Sequence, residues 1–253
     1  MIGDGLYYKI VKPDHTLSDF VDSFWCLYNH SGQVKETIGL PVGRVDLFLF
    51  RSPAEGFRII LLGLGTLPHE QATIPIDGVI FCISLKLLAI EYILNESIAD
   101  IINSGKILEH DFWGFSEQDL QDFDYFIDKS VQVLSSMLPA TIDARKQKLF
   151  DLIYESKGTI SVSELSEKVF WTSRQINRYF NQWFGLSLKV YSNILRFRAS
   201  LDHIAQGKLF PDEHFFDQNH FIKEIKKFSG VVPKELLKNK NDRFILLSSL
   251  TSK

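Results

Sequence analysis

The chain has 253 residues, of which 45% are hydrophobic, and a net charge of −3. That is enough apolar material for one large domain or two ordinary ones, and the overall charge excludes a uniformly basic nucleic-acid binder. Two cysteines, Cys26 and Cys82, exclude a disulfide framework, and the absence of CxxC or Cys/His clusters argues against a zinc site.

The charge is unevenly spread. Residues 1–145 carry 10 Lys and Arg against 20 Asp and Glu, and residues 146–253 carry 18 against 11. An acidic half joined to a basic half suggests that only the second meets phosphate. The start, MIGDGLYYKIVKPD, has no basic segment followed by an apolar run. No apolar run approaches the roughly 18–20 residues of a membrane span. A soluble, cytoplasmic protein without a membrane partner is expected.

From Tyr7 to about Leu85 the pattern is one of short strands and turns. VGRVDLFLF alternates, with Val45, Leu47 and Leu49 on one face and Arg44, Asp46, Phe48 and Phe50 on the other. RSPAEG reads as a turn, and FRIILLGLG and GVIFCISL as further strands. LSDFVDSFWCLY reads as a helix that could instead run into a strand, and Leu87–Leu94 as a short helix. These features predict a β-rich barrel or sandwich with accessory helices. Arg44 and Asp46 in an apolar strand could line an effector pocket, form a structural ion pair, or lie exposed at a strand end.

Residues 116–138 predict one long amphipathic helix, with Leu120, Phe123, Ile127, Val131, Leu134 and Leu138 inward and Ser116 with Asp119 as its capping box. LPATIDARK then reads as a seam, dividing the chain into domains at 1–142 and 143–253. Beyond it helices are expected near 144–156, 161–169, 172–184, 187–205, 217–229 and 233–238, with Gly158, Gly185, Gly207 and Gly230 as terminators. The fold class is therefore α+β, with an all-α C-terminal domain.

Two of these helices have the makeup of groove readers. In 172–184, Ile176 and Phe180 face inward, while Arg174, Asn177, Arg178 and Asn181 recur at i, i+3, i+4, i+7. Two arginines and two asparagines suit guanine, adenine and phosphate acceptors. With the helix before it, this makes a helix-turn-helix near 161–185. In 217–229, Phe221, Ile225 and Phe228 form the apolar stripe, and Gln218, Asn219, Lys223, Lys226 and Lys227 lie away from it. That places a second unit near 209–230.

Both segments resemble the AraC/XylS family of transcription regulators. Ser161, Leu165, Thr172, Arg174, Ile176, Arg178, Phe180 and Gly185 match its first unit; Tyr191, Arg196 and Ser200 match its linker helix; Phe215, Asp217, Gln218, Phe221, Lys223, Lys226, Gly230 and Pro233 match its second. The resemblance implies double-stranded DNA as partner, two recognition helices in successive major grooves, and RNA polymerase as a further partner. Segments of 8–115, among them PDHTLSDFVDSFWCL, resemble the family's cupin-like sensor domains, implying a small-molecule effector or a homodimer. The chain departs from the family at Phe170 and His214, where glycine is usual. A reshaped turn, rather than a left-handed Phe170, is expected at the first. About four residues are missing before the second unit, and Pro211 disfavours a helix there, so Leu209, Phe210 and Phe215 are expected to substitute for it.

No G-x-S-x-G, HExxH, Walker A or GxGxxG motif is present. His15, His30, His69, His110 and His203 are scattered singly. No enzyme, cofactor, catalytic residue or metal site is expected. The reading is a sequence-specific DNA-binding regulator; its alternative is a ligand-binding or protein-interaction module with a degenerate DNA-binding head.

Overall fold

The computed structural model describes residues 5–210, 217–239 and 243–245. The content is mixed, an antiparallel sheet followed by a helical part. The chain divides into two compact units. The first is Met1–Glu36, Arg44–Leu64 and Thr73–Thr141; the second is Ile142–Lys253 together with Thr37–Gly43 and Gly65–Ala72.

The strands are β1 (Leu6–Val11), β2 (Val21–Asn29), β3 (Lys35–Gly39), β4 (Val45–Ser52), β5 (Gly56–Leu62), β6 (His69–Ile74), β7 (Val79–Leu85) and β8 (Gly105–Ile107). Six form one sheet in the order β1-β2-β7-β4-β5-β8, and β3 pairs with β6. The alternation expected of β4 holds: Val45, Leu47 and Leu49 are fully buried. Cross-strand register adds Phe24, Cys26, Phe81 and Ile83 to the same face. Burial pushes the Cys26 thiol up to about 12 and Cys82 well above its ordinary value, so both remain neutral thiols. The other face carries Tyr8, Trp25 and Phe48, whose rings meet in series at 5.8 and 5.4 Å.

LSDFVDSFWCLY ends in a strand rather than a helix. Its apolar residues mimic helical spacing because β2 lies between β1 and β7 and is buried on both faces, which erases the alternation. At the end of β7 the chain turns through α1 (Leu87–Ala89) into a π turn, Ile90–Leu94.

The single long helix expected over 116–138 is two elements. Ser116 and Asp119 do form a capping box, but on a 3-10 turn, Glu117–Leu120. Asp122 then caps afresh, accepting the Tyr125 N–H at 2.8 Å, and starts α2 (Phe123–Ser136). A second capping carboxylate so soon after the first gives the backbone a way to end one turn and begin another. The inward face of α2 is accordingly Phe123, Phe126, Ser130 and Leu134. Phe123 and Phe126 lie 5.2 and 5.4 Å from Phe81, closing the first unit's core. Asp119 is 2% exposed and ion-paired with Lys129 at 2.8 Å.

In the second unit the helices fall where caps and glycines place them: α3 (Ala144–Glu155), α4 (Val162–Val169), α5 (Ser173–Phe184), α6 (Leu188–Ala205), α7 (Gln218–Ser229) and α8 (Pro233–Lys238). Phe150 of α3 is the hub, with Phe180 and Phe184 of α5 at 5.9 and 6.0 Å. Gly158 turns α3 toward α4 at φ 77°, and a Cβ there would lie 2.3 Å from the Ser192 carbonyl oxygen. Phe197 of α6 packs on Phe228 of α7 at 5.2 Å. The buried Tyr191 hydroxyl donates to the Gly43 carbonyl at 2.9 Å, and the Ile38 N–H to the Arg243 carbonyl at 2.7 Å.

Candidate nucleic-acid interface

Two reciprocal capping boxes build the first candidate helix-turn-helix. Ser161 and Glu164 start α4; Thr172 and Gln175 start α5. Between them Phe170 sits at φ 54°, ψ 35°. The reshaped turn expected from a bulky residue does not occur. Phe170 keeps the left-handed conformation that glycine would adopt, at roughly 1–2 kcal/mol of strain. Its ring points into solvent, where it is 85% exposed and meets no crowding from the core.

α5 is anchored by Ile176, Tyr179, Phe180 and Phe184. Arg174, Arg178 and Asn181 stand exposed on its opposite side. Neither arginine has an ion-pair partner among the described residues, so both guanidinium groups are available to acceptors. Asn181 Nδ2 donates to the Asn177 carbonyl at 2.8 Å, and Asn177 is set apart by its burial and its role as acceptor. It is half-buried, its Nδ2 donates to the Ser173 carbonyl at 3.0 Å, and its Oδ1 accepts the Leu188 N–H at 3.3 Å. Its amide thus satisfies the first turn of α6. A helical wheel places Asn177 beside Arg178 but shows nothing of the neighbouring helix start.

The second candidate unit is α7 and the residues described beside it. Asp217 caps α7 through the His220 N–H at 2.7 Å. Phe221, Ile225 and Phe228 are buried as the stripe requires, while Asn219, Lys223, Lys226 and Lys227 are exposed. Lys226 and Lys227 lie in the last turn, where the helix dipole favours cations. Gln218 is partly buried and its Nε2 donates to the Leu209 carbonyl at 3.0 Å. Its Oε1 is buried without a partner among the described residues. No helix precedes α7 over residues 206–210. Phe210, expected as a brace, is 77% exposed, so it does not fill that place. Pro211, His214 and Phe215 lie outside the described residues.

In the first unit Arg44 and Asp46 belong to one buried polar cluster without pairing directly. Arg44 Nη1 donates to Asp22 Oδ2 at 2.7 Å and to Ser23 Oγ at 3.1 Å. Asp46 accepts from Ser84 Oγ at 2.5 Å, and Trp25 Nε1 donates to the same hydroxyl at 3.0 Å. Burial raises the Asp46 carboxyl above its ordinary value, with Arg44 and the Ser84 hydrogen bond opposing the shift. Burial disfavours the Arg44 charge, but Asp22 and Asp46 outweigh it and push its pKa up. Arg44 Nε is buried without a partner among the described residues. Sequence reading found two members of this cluster. Asp22, Ser23, Ser84 and Trp25 join it through register alone, which sets Asp46 opposite Ser84. Among the described residues no group of three His, Cys, Asp or Glu could hold a metal ion, and no helix is long and apolar enough to cross a membrane.

No protein-family model and no curated protein sequence matches the chain. Solved structures of ToxT from Vibrio cholerae do. One from strain O395 is 12% identical with a TM-score of 0.44, covering 92% of this chain and 97% of its own. Another, with an unsaturated fatty acid bound, is 11% identical with a TM-score of 0.40, covering 92% and 94%. A third is 14% identical with a TM-score of 0.41, covering 92% and 98%. These likenesses are distant.

Proposed function

We propose that the chain is a sequence-specific, DNA-binding transcription regulator of the AraC/XylS type, without catalytic activity. α5 and α7 read successive major grooves of double-stranded DNA. The observation that carries this reading is α5 itself: a capped helix, buried on one side, with Arg174, Arg178 and Asn181 exposed on the other. Arg174 and Arg178 present forked donors to guanine edges or phosphate, and Asn181 presents an amide to adenine. In α7, Asn219 and Lys223 are the reading residues, and Lys226 and Lys227 neutralise phosphates.

The first unit is proposed as a cupin-like module for a small-molecule effector or for pairing subunits into a homodimer. Arg44 and Asp46 are its candidate polar contacts, beside the Tyr8–Trp25–Phe48 aromatic series. RNA polymerase is a partner by family resemblance only.

The second reading, a module with a degenerate DNA-binding head, draws on α7. Gln218 is engaged with Leu209, and residues 206–210 supply no bracing helix. Selection of the full chain on a random-duplex library, followed by sequencing, separates the two. An enriched motif that changes at one position in Arg178→Ala supports the regulator. Absence of any enriched motif rejects it in favour of the degenerate module.

A further inference from the structure

Phe170 breaks two local preferences at once. A bulky residue holds a left-handed backbone, φ 54° and ψ 35°, and its ring is 85% exposed. The residue after it behaves in the opposite way. Trp171 turns inward, its ring 5.6 Å from that of Tyr179 and 5.3 Å from the Arg145 guanidinium. The Trp171 carbonyl accepts from Ser166 Oγ at 2.6 Å, which ties the turn back to α4. Thr172 then caps α5. The turn is held by its neighbours, and glycine would hold the same backbone without strain. Strain and apolar exposure maintained at one position, beside the start of a recognition helix, mark a group whose partner lies outside the chain.

Resting on the DNA-binding reading, we propose that Phe170 is a specificity-determining residue whose ring packs on the C5-methyl group of a thymine. A phenyl ring has no donor or acceptor and cannot read the polar edges of bases. The apolar landmark of the major groove is the thymine methyl. A recognition helix enters that groove with its N-terminal residues, and Phe170 stands just before the cap of that end. Wedging between base steps is the alternative use of an apolar side chain, but it belongs to minor-groove binders. Arg174 and Arg178, further along α5, take neighbouring positions, so the thymine is expected at one edge of the first half-site.

The test uses the full chain and the duplex it selects. Each thymine of the enriched site is replaced in turn by deoxyuridine, which lacks only the methyl group, and affinity is measured for wild type and Phe170→Gly. One replacement should weaken wild type about fourfold, the worth of one buried methyl group, and leave Phe170→Gly unchanged. The variant should also lose its thymine preference at that position while its unfolding midpoint stays level or rises. Phe170→Asn, a second side chain that tolerates this backbone, should behave like the glycine variant in the binding assay. Arg178→Ala should keep the deoxyuridine effect and change preference elsewhere. If the motif and every deoxyuridine effect are the same in wild type and Phe170→Gly, the thymine contact is wrong and the DNA-binding reading stands. If wild type enriches no motif, both fall.

Discussion

The two helices proposed to read DNA present similar outer surfaces, and among the described residues they are held differently. α5 follows a preceding helix, a reciprocal capping box and a clamped turn, and Asn177 ties its middle to the start of α6. α7 has a single aspartate cap and a Gln218 strut to the Leu209 carbonyl, and it leans on α6 through Phe197 and Phe228. Polar residues alone do not make a reader. A side chain discriminates bases only if the helix beneath it is held still enough for geometry to matter. On the proposed reading, α5 is the helix expected to set specificity and α7 the one expected to add affinity.

The largest expected effect comes from disturbing the α3–α4 turn where it meets α6. Gly158→Ala forces a Cβ against the Ser192 carbonyl at positive φ and should lose about 3 kcal/mol of stability in urea unfolding. Little change would mean that the Ser192 carbonyl gives way to the added methyl group. Next, Arg178→Ala should weaken binding to the selected site by roughly 1–3 kcal/mol and relax preference at one position, whereas Lys226→Ala, a proposed phosphate contact, should weaken all sequences alike and flatten the salt dependence. Titration of both variants on the selected and a scrambled duplex at two salt concentrations checks this; a loss in Arg178→Ala that is equal on both duplexes would remove Arg178 as a base contact. Asn177 and Asn181 sharpen the contrast within one helix. Asn177→Ala leaves the Leu188 N–H without its acceptor and should cost about 1 kcal/mol of stability. Asn181→Ala should stay within about 0.5 kcal/mol and alter base preference instead.

The smallest effect lies in the first unit. The raised Asp46 carboxyl means that the folded chain takes up that proton more readily than the unfolded one, so its charge at neutral pH opposes folding. Asp46→Asn keeps an acceptor for Ser84. It should be at least as stable as wild type at pH 7, with the difference shrinking as pH falls through the raised pKa toward the ordinary carboxyl value. Loss of stability at pH 7 would show that Arg44 depends on Asp46 more than on Asp22.

The helices of the second unit were legible because their boundaries are written locally. Ser161, Thr172, Asp217, Gly185 and Gly230 act within a turn of themselves. The apolar alternation of β4 was legible for the same reason. What escaped depends on neighbours distant in sequence. β2 lost its alternation by lying between two strands. Asn177 looked outward until α6 was placed beside it. Asp22 joins Arg44 only after the strands have paired. Phe170 escaped differently: its left-handed backbone is imposed by the turn, which Ser166 and the Thr172 cap hold from either side.

The sheet order carries one further consequence. β2 finds its partner β7 only after some fifty residues of intervening chain, and β4 must join the same strand from its other side. Closing such loops is entropically slow, whereas α4 and α5 meet across a turn of three residues. The segment proposed to read DNA is thus built from quick, short-range contacts, and the sheet from slow, long-range ones. During folding the helices of the head will form while the strands of the first unit are still searching for one another.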